Sequence, residues 1–127
     1  MSYIEVCHES KRYQMGTAEI LANRDVSFSV EKGELAVILG TSGAGKSTLL
    51  NILGGMDTCD EGEIRIDGVD IARLSPRDRI TYRRHDVGFV FQFYNLIPNL
   101  TARENVELAS EIVQGAMDPV QVLRDVG

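Results

Sequence analysis

Apolar and polar residues alternate over residues 3–8 and again over 25–30, where Val26, Phe28 and Val30 fall on one side. That period of two predicts half-buried antiparallel strands. The pattern changes at Leu35-Ala36-Val37-Ile38-Leu39, which is apolar throughout and bounded by Gly33 and Gly40. A run of this kind predicts a strand buried on both faces, as in a parallel sheet. GTSGAGKSTLLNILGG follows directly, a glycine-rich turn entering a short helix that stops at Gly54-Gly55. Residues 63–66 alternate again and end at Asp67-Gly68, which predicts a hairpin with 69–71. Ser75-Pro76-Arg77-Asp78 has an N-cap, a proline at the first helical position and an acid in the first turn. The helix it opens carries Arg77, Arg79, Arg83 and Arg84, and Val87–Phe91 behind it is a second strongly apolar strand candidate. Thr101 and Glu104 form a capping box ahead of a helix holding Val106, Leu108, Ala109, Ile112 and Val113. Asp118-Pro119-Val120-Gln121 begins one more helix, which the 127 residues leave within about two turns.

Composition narrows the class of protein without naming a function. At 43% hydrophobic and 25% charged the chain is of ordinary globular make-up, long enough for one modest domain. A net charge of −6 disfavours loose binding to nucleic acid or anionic lipid, so no nucleic-acid partner is expected. The two cysteines, Cys7 and Cys59, are too few for a disulfide framework or a zinc site. They are expected to be small buried or half-buried thiols in a reducing compartment. His8 and His85 lack metal-ligand spacing and are expected at the surface. No stretch approaches the roughly 20 apolar residues that cross a bilayer, and the start has no apolar leader. The expectation is a soluble, intracellular chain whose connection to a membrane comes through a partner.

The strongest chemical signal is Gly40-Thr41-Ser42-Gly43-Ala44-Gly45-Lys46-Ser47, which fits G-x-x-x-x-G-K-[ST] at every fixed position. Glycines let successive N–H groups converge on phosphate oxygens with no Cβ in the way. The helix opening near Gly45 adds its positive dipole end. Lys46 supplies a mobile cation for the β- and γ-phosphates, and the Ser47 hydroxyl is a ligand for Mg²⁺. A buried strand before the loop and a helix after it is the context the motif requires.

Five stretches, in order, resemble the first half of an ABC-transporter nucleotide-binding domain: KRYQMG, VSFSVEKGELAVILGTSGAGKSTLLNILGG, DEGEIRIDGVDI, VGFVFQFYNLIPNLTARENVEL and the opening of the next helix. The fourth is similar to the branch serving macrolide export, lipoprotein release and antimicrobial-peptide resistance. The resemblance implies ATP and Mg²⁺ as cofactors, held by residues 40–47 with Thr48 beside them. It implies that Tyr13 stacks on the adenine ring, where a flat π-face tolerates any base; the alternative is plain packing at a strand end. It places Gln92 in the Q-loop, where its amide oxygen reaches Mg²⁺ or the attacking water. Lys46 and Gln92 are thereby the candidate catalytic residues. A Gln at the carboxyl end of a strand beside such a loop also lies on the edge where α/β sheets bind ligands. Residues 93–100 (Phe-Tyr-Asn-Leu-Ile-Pro-Asn-Leu) are unusually apolar for a loop. With the helix from 101 they are expected to dock a transmembrane permease, the other reading being an ordinary buried loop. The arginines at 77–84 read as a solvated face or as a contact to the membrane subunit or lipid headgroups.

The resemblance implies an α/β fold: an incomplete P-loop NTPase core with an antiparallel β subdomain, residues 1–127 being the N-terminal part of one nucleotide-binding domain. The family's signature, Walker B, catalytic glutamate and switch histidine segments do not occur in these residues. Phosphoryl transfer relies on positioning and charge stabilisation around the γ-phosphate, so Mg·ATP binding without turnover is expected. In the family's sheet, strands from the absent segments separate 35–39 from 87–91, and without them both would be unpaired apolar edges. The implied function is to power export by a partner permease, at the inner face of the cell membrane and with a second nucleotide-binding domain in the complete protein. The competing expectation is a stand-alone, non-catalytic nucleotide-binding module. No N-K-x-D string supports a GTPase.

Overall fold

The chain turns at Gly16-Thr17, and β1 (Ser2–Met15) and β2 (Ala18–Glu31) run back along each other as a long antiparallel hairpin. This computed structural model describes residues 2–127. The other edge of β1 pairs with β3 (Glu61–Ile66), opposing Val6 to Ile64 and Ile4 to Ile66. At Asp67-Gly68 both residues have positive φ, 51° and 82°. Such a turn suits a tight hairpin, and it returns the chain as the short β4 (Val69–Asp70). The sheet order is β2-β1-β3-β4, antiparallel throughout. Both expected strands, 3–8 and 25–30, lie inside longer ones.

One unit of the chain runs through Arg83; Arg84–Gly127 forms the other. In the first, α1 (Lys46–Leu53) buries Leu49 and Ile52, three residues apart on one helical face. Ile52 joins Val6, Ile64 and Ile71 in the buried core, with Phe28, Leu53, Cys59 and Tyr82 packed around it. Asp70 accepts from the Ala72 N–H at 3.1 Å and caps a single 3₁₀ turn, Ile71–Arg73. In α2 (Pro76–Asp86) the Ser75 hydroxyl accepts from the Asp78 N–H at 3.1 Å, the expected cap. The Tyr82 hydroxyl donates to the Leu53 carbonyl at 2.7 Å and ties α2 to the end of α1. In the second unit α3 (Ala102–Ser110) opens on the expected Thr101–Glu104 capping box, and α4 (Pro119–Val126) follows Asp118.

Three expectations are corrected. Residues 35–39 and 87–91 form no strand: Leu35, Val37, Leu39 and Val90 are 91%, 73%, 88% and 95% exposed. A strand exists through its ladder, and among the described residues neither segment has one. The helix expected to hold Ile112 and Val113 ends at Ser110, leaving both exposed. Cys7 is exposed, while Cys59 is half-buried at the rim of the core. His8 and His85 are at the surface as expected.

A β-bulge interrupts β1 between Val6 and Glu9, with His8 at φ 52°. Beyond it Glu9, Ser10 and Lys11 are buried, and so is Asn23 on β2. Ser10 accepts from the Asp25 N–H and Lys11 reaches Asp57, but among the described residues neither carboxylate oxygen of Glu9 has a partner. Burial raises the Glu9 pKa, Asp60 adds to the rise, and Lys11 opposes it. A carboxyl whose pKa is raised on folding favours the folded state while protonated. That advantage is complete below the unfolded pKa of about 4.3 and is lost as pH rises through the folded value. Glu9→Leu therefore raises the unfolding free energy at pH 8 by about 1–3 kcal/mol, the worth of an unsatisfied buried group, and the thermal midpoint rises with it. The gain shrinks at pH 4, and melting curves of the two proteins at both pH values check this.

Candidate functional site

Residues Gly40–Ser47 wrap around the amino end of α1. Ala44 donates its N–H to the Thr41 carbonyl at 3.1 Å, closing a turn that contains Gly43 at φ 79°, and Gly45 follows it at φ 87°. Two N–H groups of the Lys46 ammonium go to the carbonyls of Gly40 and Thr41, the latter at 2.8 Å, so the side chain folds back over its own loop. No side chain caps α1, which leaves first-turn N–H groups open to an anion. The Ser47 side chain is exposed beside them.

The loop is held by the sheet behind it. A Cβ on Gly45 would lie 2.2 Å from the Ala22 carbonyl oxygen and 2.5 Å from Asn23 Nδ2, so the position takes glycine alone. A Cβ on Gly43 would meet nothing within 4 Å. These features fit a phosphate chain: a backbone bare of side chains where phosphate oxygens approach, a cation on a flexible stem, and a hydroxyl suited to a divalent metal.

Tyr13 lies in the same unit. It is half-buried, its hydroxyl donates to Asp57 at 2.5 Å, and the Thr48 side chain in the first turn of α1 lies near enough to that hydroxyl to oppose the rise of its pKa. Lys11 bonds the other Asp57 oxygen at 3.1 Å, with its ammonium 5.1 Å from the centre of the Tyr13 ring. Burial, then the bond to Asp57, raise the Tyr13 pKa. Burial pushes Asp57 upward, but hydrogen bonds from Tyr13, Thr58 and Lys11 outweigh it and hold the carboxylate below its usual range. The structure thus brings Tyr13, Thr48 and the loop together.

Gln92 belongs to the second unit, where it is exposed at a bend. Within that unit Leu96, Ile97, Pro98 and Leu100 line a groove of about 330 Å³ with Val106 of α3 and Leu123 of α4. Asn105 shapes this segment. Its Oδ1 accepts from the Ile97 N–H at 2.8 Å, and its Nδ2 donates to the Thr101 carbonyl at 2.9 Å. Phe93 and Tyr94 are 74% and 93% exposed, so the segment is not an ordinary buried loop.

A glycine loop of this form at the head of a helix defines the P-loop NTPase class. The family model for the ABC transporter matches residues 23–126, and the chain belongs to that family's ATP-binding domains. It is 45% identical over 108 residues to the macrolide export ATP-binding/permease protein MacB of Neisseria gonorrhoeae, covering 85% of this chain and 17% of that protein. It is 46% identical over 101 residues to the lipoprotein-releasing system ATP-binding protein LolD of Porphyromonas gingivalis, covering 80% and 45%. Among solved structures it matches the dimeric ATP-binding cassette MJ0796 in a post-hydrolysis state bound to ADP and Pi, with a TM-score of 0.80 and 42% identity over 93% of this chain and 51% of that one. The fold is therefore that of the P-loop ATPase cassettes. The chain spans less than half the length of these curated relatives.

Asp57, Asn23 and Asn105 are the residues that sequence reasoning passed over. Asp57 sits three residues past the glycine stop of α1, where only its hydrogen bonds reveal a role. The asparagines act on backbone groups and match no motif. Gly45→Ala is expected to cost more than about 2 kcal/mol, since it adds a backbone clash to the left-handed penalty. Gly43→Ala carries the penalty of about 1 kcal/mol alone. Urea unfolding of both variants measures the difference.

Proposed function

We propose that the chain holds Mg·ATP with Gly40–Ser47 around the phosphates, Thr48 beside them and the ring of Tyr13 at the base. The observation that supports this is the loop itself, in a chain belonging to a family of ATP-binding domains. Lys46 leaves its two carbonyls for the β- and γ-phosphates, exchanging neutral acceptors for charged ones. Ser47 is the ligand this loop offers the metal, and Gln92 is a second ligand or the residue that orients water. When bound, Mg²⁺ neutralises charge on the phosphate oxygens. The Asp57 clamp fixes the Tyr13 ring at its hydroxyl, so the ring meets a base with little rotamer entropy left to lose.

The work done with the nucleotide is export or lipoprotein release by a partner permease, the tasks for which MacB and LolD are named. The permease docks at Phe93–Leu100, an exposed apolar segment beside α3. A second cassette closes over the nucleotide, as the dimeric MJ0796 suggests. Among the described residues no helix is long and apolar enough to cross a membrane. In this reading the permease holds the domain at the cytoplasmic face. These 127 residues contain no signature or Walker B segment, and they bind without turning over.

Calorimetric titration with Mg·ATP tests this. One saturable site is expected, weakened at least about tenfold by Lys46→Ala, the worth of a charge-assisted hydrogen bond. Phosphate release stays at the buffer rate. Absence of binding refutes the site, and sustained release abolished by Lys46→Ala refutes the lack of turnover.

A further inference from the structure

We infer that Asn23 is a positioning residue for the phosphate loop: its side-chain amide pins the Gly45 carbonyl to β2 and so sets where the loop becomes helix. Nδ2 donates to the Gly45 carbonyl and to the Ala22 carbonyl, each at 3.1 Å. The Gly45 carbonyl also accepts the Leu49 N–H at 3.0 Å, the first hydrogen bond of α1. One oxygen thus joins sheet, loop and helix. The next two residues are Lys46 and Ser47.

An apolar side chain would serve packing better at this position. Asn23 is only 6% exposed and its Oδ1 has no partner among the described residues, so the residue carries the cost of an orphaned buried acceptor. The two bonds from Nδ2 are what offset that cost. A Cβ at Gly45 would fall 2.5 Å from Nδ2, so the absence of a side chain at 45 and the amide at 23 are two halves of one contact. The contact also reaches the other end of the site. Asn23 stands opposite Lys11 in the β1–β2 register, and Lys11 holds the Asp57 that receives the Tyr13 hydroxyl. Asn23 therefore sets the distance between the phosphate loop and the Tyr13 ring through β1 and β2. Its effect on affinity rests on the nucleotide reading above; its effect on the loop does not.

The test is amide hydrogen exchange of the full chain without nucleotide, followed by Mg·ATP titration, for the unaltered protein and for Asn23→Leu and Asn23→Gln. Leu keeps the volume and removes both donors; Gln keeps the donors. In Asn23→Leu, exchange at the hydrogen-bonded amides of Ala44 and Leu49 rises about tenfold, the worth of one ordinary hydrogen bond, while amides around Val6 and Ile64 keep their rates. Mg·ATP binds about tenfold more weakly in step, and Asn23→Gln restores part of both losses. If loop exchange is unchanged, or rises equally in the loop and the core, the positioning role is wrong. If the unaltered chain binds no Mg·ATP, the nucleotide reading fails, while the loop exchange still decides the role of Asn23. Should Asn23→Leu not fold, the Asn23 side-chain NH₂ protons of the unaltered chain decide. Slow exchange supports the clamp, and exchange as fast as that of the exposed Gln14 amide overturns it.

Discussion

The backbone at Gly45 passes so close to β2 that no side chain fits between them, with 2.2 Å from an added Cβ to the Ala22 carbonyl oxygen. This contact fixes the start of α1 against the sheet. Four residues on, Leu49 is buried, and Ile52 then reaches Val6 and Ile64. The buried apolar core is small, so its order leans on polar links as well. Lys11 and Tyr13 converge on Asp57, and Tyr82 holds the Leu53 carbonyl. Each link contributes about 1 kcal/mol net, and each closes a contact between residues far apart in sequence. The loop that carries Lys46 and Ser47 is thus an outgrowth of a packed joint.

The same joint explains how Tyr13 and the glycine loop come to lie in one unit. The loop follows β2 in sequence, yet Tyr13 comes from β1, and the long hairpin brings β1 back to α1. The β1 bulge turns Glu9 and Lys11 to the buried side. Lys11 gains Asp57 there, whereas Glu9 gains nothing and is held by its neighbours at a cost in stability.

What was readable in the sequence was what local chemistry dictates. The loop, its helix and the glycine stop, the Asp67-Gly68 hairpin, the Ser75 cap and the Thr101–Glu104 box all rest on residues within a few positions of one another. The cores of β1 and β2 showed in their alternation, but their full length did not, because Ala18–Asn23 break the period near the bulges. The apolar runs 35–39 and 87–91 mislead for a physical reason. Hydrophobicity reports what a segment would bury, and a strand needs a hydrogen-bonded neighbour as well. Of the site, Gly40–Ser47 was legible by motif, and Tyr13 and Gln92 only through a family resemblance. Asp57 and Asn23 act on a hydroxyl and a carbonyl supplied by other elements, a relation that exists only after folding.

In the proposed function, one sheet-anchored joint presents a phosphate loop and an aromatic ring to one nucleotide. Backbone amide resonances of Gly40–Thr48 and the ring resonances of Tyr13, followed together during titration with Mg·ATP, test it most directly. Loop and ring are expected to shift along a single saturable isotherm. Loop shifts with the Tyr13 ring unmoved, or no saturable shift at either end, would contradict it.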